Sequence, residues 1–168
     1  IQSDMKRLLA YSSIENIGLL FAAIGLALVF SAYRMQKLAA LALTACLYHV
    51  ASHALFKSLL FLGTGSVLHA TGERNLGKLG GLIRCMPWVA WFTLIGVLAS
   101  AGLPPLNGFV SEWLLLQSFL FTPGLPHPVL NMLIPVVAAL IALIAALAGY
   151  TMVKFFGVIF LGQPREDK

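Results

Sequence analysis

The sequence predicts an all-α transmembrane protein, and three observations carry that prediction. Of 168 residues, 60% are apolar and 10% charged, with a mean hydropathy of +0.91, whereas soluble domains hold about a quarter charged residues. The apolar residues form long runs at 8–33, 38–70, 86–103, 110–121 and 129–161. Basic residues gather between those runs, so the net charge of +5 is a topology signal and not a nucleic-acid surface.

A bilayer core about 30 Å thick needs about 20 helical residues to cross it, and the first, second and last runs suffice alone. The third and fourth have 18 and 12 residues and flank AGLPPLNGF, where Pro104 and Pro105 withhold backbone donors and obstruct the preceding turn. They read as two halves of one span, which gives about four membrane-spanning helices with one broken at Pro104–Pro105. Freed backbone groups at membrane depth are tolerated only inside protein or along a hydrated cavity, so such a break marks an ion or substrate pathway.

Four spans put both ends on one side. Lys6, Arg7, Arg74, Lys78, Arg84, Arg165 and Lys168 stand on that side against Arg34 and Lys37 on the other. Both ends and the 71–85 loop are therefore expected to be cytoplasmic, and TPGLPHP at 122–128 external. No repeat of 20–50 residues divides the chain, so residues 1–168 form one partial domain. Ile1 opens no signal-peptide pattern, and the chain reads as an internal piece of something longer. Cys46 and Cys85 are far apart with no partner motif, so no disulfide, metal, iron–sulfur or other cofactor is expected.

Ionisable residues inside spans are costly, and they face a bundle interior or a water-filled cavity. In YHVASHALFKSLLFLGTGSVLHA, His49, His53 and Lys57 follow i, i+4, i+8 spacing, which sets them on one helical stripe with about 6 Å between rungs along the axis. Lys57 lies nineteen residues from one end of its run and thirteen from the other, too deep for its stem to carry the ammonium to the headgroups. Imidazole accepts a proton on one nitrogen while releasing one from the other, and an ammonium can be deprotonated where a guanidinium cannot. With one or two waters between rungs, this is a candidate proton path. Glu112, in GFVSEW after the break, is its fourth member, favoured by the positive end of the half-helix. Ser111 or Asn107 are alternative caps there. Glu15 and Lys154, shallower in the first and last spans, are further candidates; snorkelling accounts for Lys154 as well as function does.

Three stretches, DMKRLLAYSSIENIG, SHALFKSLLFLGTGSV and GLPPLNGFVSEW, resemble in order three landmarks of the antiporter-like proton-translocating subunits. These occur in respiratory complex I, membrane-bound hydrogenases and Mrp-type cation/proton antiporters, and the ENIG and PPLNGFVSEW wording is nearest the hydrogenase-4 and formate hydrogenlyase branch. The resemblance implies a core of about fourteen helices made of two inverted repeats, each with a broken helix and a buried titratable residue. The present chain would be most of the second repeat. It also implies that His49, His53 and Lys57 lie on a central relay helix and that Glu112 matches the terminal acid or lysine of the broken helix.

The activity implied is proton translocation in a redox-driven complex, with no redox centre in this chain. The implied partners are other membrane subunits, a peripheral hydrogenase or dehydrogenase arm and the lipid bilayer, and the location is the inner (plasma) membrane of a prokaryote. An Mrp-type monovalent cation/proton antiporter subunit and a purely structural anchor are the competing readings. An anchor gains nothing from buried ionisable groups.

Overall fold

Asp4 starts the first helix. Its Oδ1 accepts from the backbone N–H of Lys6 at 2.8 Å and of Arg7 at 3.1 Å, satisfying amides that a helix start leaves without partners. The Arg7 amide is the main reason this carboxyl titrates below the usual aspartate range. Helix α1 runs Met5–Ala32, and a tight turn with Arg34 at φ 57° reverses the chain into α2, Gln36–Thr71. At 36 residues, α2 is about 54 Å long. It stops at Gly72, whose left-handed φ of 69° lets its N–H reach the Leu68 carbonyl at 2.8 Å.

This computed structural model describes residues 2–120 and 125–163. A loop with one 3-10 turn at Leu76–Lys78 leads to α3, Pro87–Ser100, which begins on a proline where a missing N–H costs nothing. The break follows, with a cis Pro104–Pro105 bond, and then α4, Asn107–Leu120. Helix α5, Pro128–Phe156, ends in a π-helical turn, Gly157–Leu161.

Two apolar clusters show how these elements stack. One joins Leu9 of α1, Leu60 and Val67 of α2, Val97 of α3 and Phe155 of α5. The other joins Phe30 of α1, Ala42 and Cys46 of α2, Phe119 of α4 and Ile134 of α5. Helix α3 thus packs on the second half of α2 and α4 on the first half. They are two segments of one traverse, as the paired prolines predicted, and α4 starts three residues before the apolar run does. Gly108 makes the junction close: a Cβ there would overlap the Ala99 carbonyl oxygen.

Backbone pairing gathers one end of the bundle. Met5 N–H donates to Arg74 O and Leu76 N–H to Ser3 O, while Leu82 and Ile83 donate to Ile159 O and Phe160 O. The start of α1, the 74–83 loop and the end of α5 therefore share an end, as the basic-residue count requires. Arg165 and Lys168, and residues 121–124 that include the start of TPGLPHP, lie outside the described residues.

Among the described residues, α1, α2 and α5 with its π turn are long and apolar enough to cross a membrane, and α3 is a shorter apolar helix. Their outer faces are apolar: Phe21 is 71%, Leu62 71% and Met132 72% exposed. A set of polar residues lies inside: Ser12, Asn16, His49, Ser52, Lys57 and Ser111 are all buried. That inversion of the soluble pattern is what lipid demands.

Candidate functional site

Helix α2 supplies the axis of the site. His49 and Lys57 are each 5% exposed and point inward from the same stripe, with the half-buried His53 between them. The His49 and His53 rings stack at 6.3 Å between centroids with an interplanar angle of 17°. His53 also meets Phe56 edge-on at 5.4 Å, and its buried Nε2 has no hydrogen-bond partner among the described residues.

The direct hydrogen bonds run through α1. Lys57 Nζ donates to Ser12 Oγ at 2.6 Å and to the Leu9 carbonyl at 3.4 Å. One turn on, Asn16 Nδ2 donates to the Ser12 carbonyl at 2.7 Å, which turns Asn16 Oδ1 to His49 Nε2 at 3.0 Å. The other ring nitrogen, Nδ1, lies 2.8 Å from Ser111 Oγ on α4, and that hydroxyl lies 2.7 Å from the Gly108 carbonyl. The stripe on α2 is thus tied on one side to α1 and on the other to the broken helix. Ser12, Asn16 and Ser111 were not singled out as site residues in the sequence, although YSSIENIG and GFVSEW contain them.

Glu112 is the sixth residue of α4, beyond the first turn in which a helix start exposes its amides. Its carboxylate lies instead over the end of α3: a Cβ on Gly102, which has φ 65°, would stand 2.5 Å from Oε2. Neither alternative cap spans the first turn. Asn107 Oδ1 accepts from the adjacent Gly108 N–H at 3.1 Å, and Ser111 is engaged with His49 and Gly108. Glu112 is half-buried at the point where the two half-helices meet.

Glu15 and Lys154 meet around a cavity of about 570 Å³ that reaches from Gln2, Ser3 and Gly77 at the loop end to Ser12 and Glu15. Ser12 therefore faces the cavity and bonds the Lys57 ammonium at the same time. Lys154 is exposed, on the cavity side of α5. Chemically, the arrangement offers a hydratable recess, a buried primary amine one hydroxyl away from it, two stacked imidazoles, and a carboxylate at the helix break.

A helical bundle with an apolar exterior and an axial row of buried titratable groups ending at a broken helix is a multi-pass membrane protein built around an internal polar path. The chain belongs to the NADH:quinone oxidoreductase/Mrp antiporter transmembrane family, which matches residues 1–142. It is 44% identical over its whole length to formate hydrogenlyase subunit 3 of Escherichia coli, covering 28% of that protein. Over 98% of the chain it is 39% identical to hydrogenase-4 component B of the same organism, covering 25% of it. The Na(+)/H(+) antiporter subunit A1 of Staphylococcus saprophyticus is 38% identical over 99% of the chain, which covers 21% of that subunit. The chain thus spans about a quarter of the length of these relatives.

Proposed function

We propose that this chain is the relay portion of a proton-translocating membrane subunit in a redox-driven complex of the hydrogenase-4 or formate hydrogenlyase kind. The observation that carries the reading is the continuity of polar groups from the cavity through Ser12 to Lys57, and from Asn16 through His49 to Ser111 beside Glu112. Protons reach Lys57 from the cavity side, pass the two histidines and leave through Glu112, with waters completing the gaps between rungs. Other membrane subunits and a peripheral hydrogenase or dehydrogenase arm supply the driving reaction. A charge or hydration change at one end of the row alters the proton affinity of the next group. Moving one charge against 100 mV requires about 2.3 kcal/mol, which redox chemistry in a partner supplies.

In this reading the cavity end, with both ends of the chain, is cytoplasmic in a prokaryotic inner membrane, because the basic residues Lys6, Arg7, Arg74, Lys78 and Arg84 collect there. The test is proton transport by the full-length protein in its native membrane. Lys57→Ala should cut transport severely while the complex still assembles, and native-rate transport would end the proposal.

The similarity to an Na(+)/H(+) antiporter subunit supports a second reading, an Mrp-type cation/proton antiporter driven by an ion gradient. Sodium-dependent proton movement without any electron donor would favour it over the first.

A further inference from the structure

We infer that Ser111 is a hydroxyl switch that carries the protonation state of His49 to the broken helix, an inference that rests on the proton-relay reading above. Asn16 has its amide nitrogen committed to the Ser12 carbonyl at 2.7 Å, so the atom it presents to His49 Nε2 at 3.0 Å is an acceptor oxygen. Nε2 therefore bears hydrogen in both charge states of the ring, and only Nδ1 changes.

The partner of Nδ1 is Ser111 Oγ at 2.8 Å, which also stands 2.7 Å from the Gly108 carbonyl. A hydroxyl has one hydrogen and accepts through its lone pairs. When His49 is neutral, Nδ1 is an acceptor and the Ser111 hydrogen points to it. When His49 takes a proton there, Nδ1–H donates to Ser111 Oγ, and the hydroxyl hydrogen turns to the Gly108 carbonyl. No covalent bond in Ser111 is made or broken; the added proton stays on Nδ1.

The group at the far end of this switch is well placed to be felt. In α4 the Gly108 carbonyl faces the N–H of Glu112 four residues on, and Gly108 itself abuts the Ala99 carbonyl of α3. A hydroxyl hydrogen turning to that carbonyl bears on the turn that holds Glu112 and on the junction of the two half-helices together. Ser111 is 1% exposed, so no bulk water competes for either position. The titratable groups on the elements around His49 are Lys37, Cys46, Tyr48, His53, Lys57 and His69 on α2, Lys6, Arg7, Tyr11 and Glu15 on α1 and Glu112 on α4; α3 has none, and α5 has Tyr150 and Lys154 at the cavity. None of these intervenes between Nδ1 and Ser111. Ser111 is a positioning residue in this role, acting through His49 and Gly108.

The test uses the full-length protein assembled in its native membrane, labelled with 15N-histidine, with the His49 resonances assigned by their loss in His49→Gln. Ser111→Ala should move the Nδ1 resonance and leave Nε2, still held by Asn16, in place, and proton transport should fall about tenfold, as for loss of one hydrogen bond to an ionised partner. Ser111→Thr keeps the hydroxyl and should keep the native Nδ1 signal. An unmoved Nδ1 resonance in Ser111→Ala, or native-rate transport by it, would overturn the inference. If the alanine variant fails to assemble, Ser111→Cys, close in size and a weak donor, is judged by the same two outcomes. Lys57→Ala measured in parallel separates the two claims. Its loss of transport beside a fully active Ser111→Ala defeats the switch alone, and its native transport defeats the relay reading itself.

Discussion

The ammonium of Lys57 donates to the Ser12 hydroxyl at 2.6 Å, and Ser12 also lines the cavity between α1 and α5. A single side chain therefore separates a buried amine from hydratable space. Lys57→Arg should transport poorly in the full-length protein, because a guanidinium keeps its proton; the measurement is proton uptake into inverted vesicles. Ser12→Ala should cut the rate by about tenfold without abolishing it, since one hydrogen bond to a charged group is lost while the amine remains. An arginine variant with normal pumping would reduce Lys57 to a fixed positive charge.

Topology is checked by cysteine labelling of intact cells. The paired backbone bonds put residues 3–5, 74–83 and 159–160 at one end of the bundle; with that end cytoplasmic, as proposed from the basic residues, a cysteine at Arg74 should be shielded from an impermeant external reagent and one at Arg34 should react. Strong external labelling at Arg74 would turn the proposed topology over and place the cavity end of the row outside.

The helices were legible in the sequence because lipid imposes apolar length, and the broken span because two adjacent prolines withdraw donors where no water replaces them. His49, Lys57 and Glu112 stood out for a similar reason, as ionisable groups in apolar runs. Ser12, Asn16 and Ser111 did not, because small polar residues are ordinary in such helices. Ser13, Thr64 and Ser66, for example, only bond back to the carbonyl four residues earlier. What distinguishes Ser12 and Asn16 is that α1 faces α2 at Lys57 and His49, a pairing no local pattern encodes. The same holds for the cavity, which brings Glu15 and Lys154 together from opposite ends of the chain.

Two glycines at the break should respond differently to alanine. At Gly108 the new Cβ meets the Ala99 carbonyl, a backbone atom that cannot rotate away, so Gly108→Ala should lower stability by about 1–3 kcal/mol, read as a lower melting temperature of the purified complex. At Gly102 the obstacle is the Glu112 carboxylate, at a positive φ. Gly102→Ala should therefore depress transport through displacement of Glu112 in addition to any loss of stability. Equal melting temperatures for Gly108→Ala and the native protein would contradict the close junction.

The cap at Asp4 gives a prediction outside the membrane. Removing it by Asp4→Ala should destabilise the first turn of α1 by about 1 kcal/mol, which is about a fivefold faster hydrogen exchange of the Lys6 and Arg7 amides. Because the folded carboxyl titrates below the ordinary aspartate value of 3.8, the ionised cap contributes fully above that value. Its contribution fades as the pH falls through the lowered one. The exchange difference between native and variant should therefore be constant at neutral pH and shrink below about pH 4; a difference that grew on acidification would show the cap is not the ionised carboxylate.

Glu112 is the outer end of the proposed path, and its placement decides what its variants should do. It lies past the first turn of α4 with its carboxylate over Gly102, directly after the residue that bonds His49. A group there stands by the C-terminal end of α3 on one side and is exposed to any charge carried by the α2 stripe on the other. In the proposed relay a proton arriving through His49 changes the field at a carboxylate a short step away, and that change loads and releases it. Glu112→Gln preserves volume and hydrogen-bonding capacity but cannot titrate, so the complex should assemble normally while proton transport is lost. Glu112→Lys restores a titratable group of opposite charge and should retain part of the rate. Native-rate pumping by the glutamine variant would leave the carboxylate with only a packing role against Gly102, and the outer step of transport would then belong to another group.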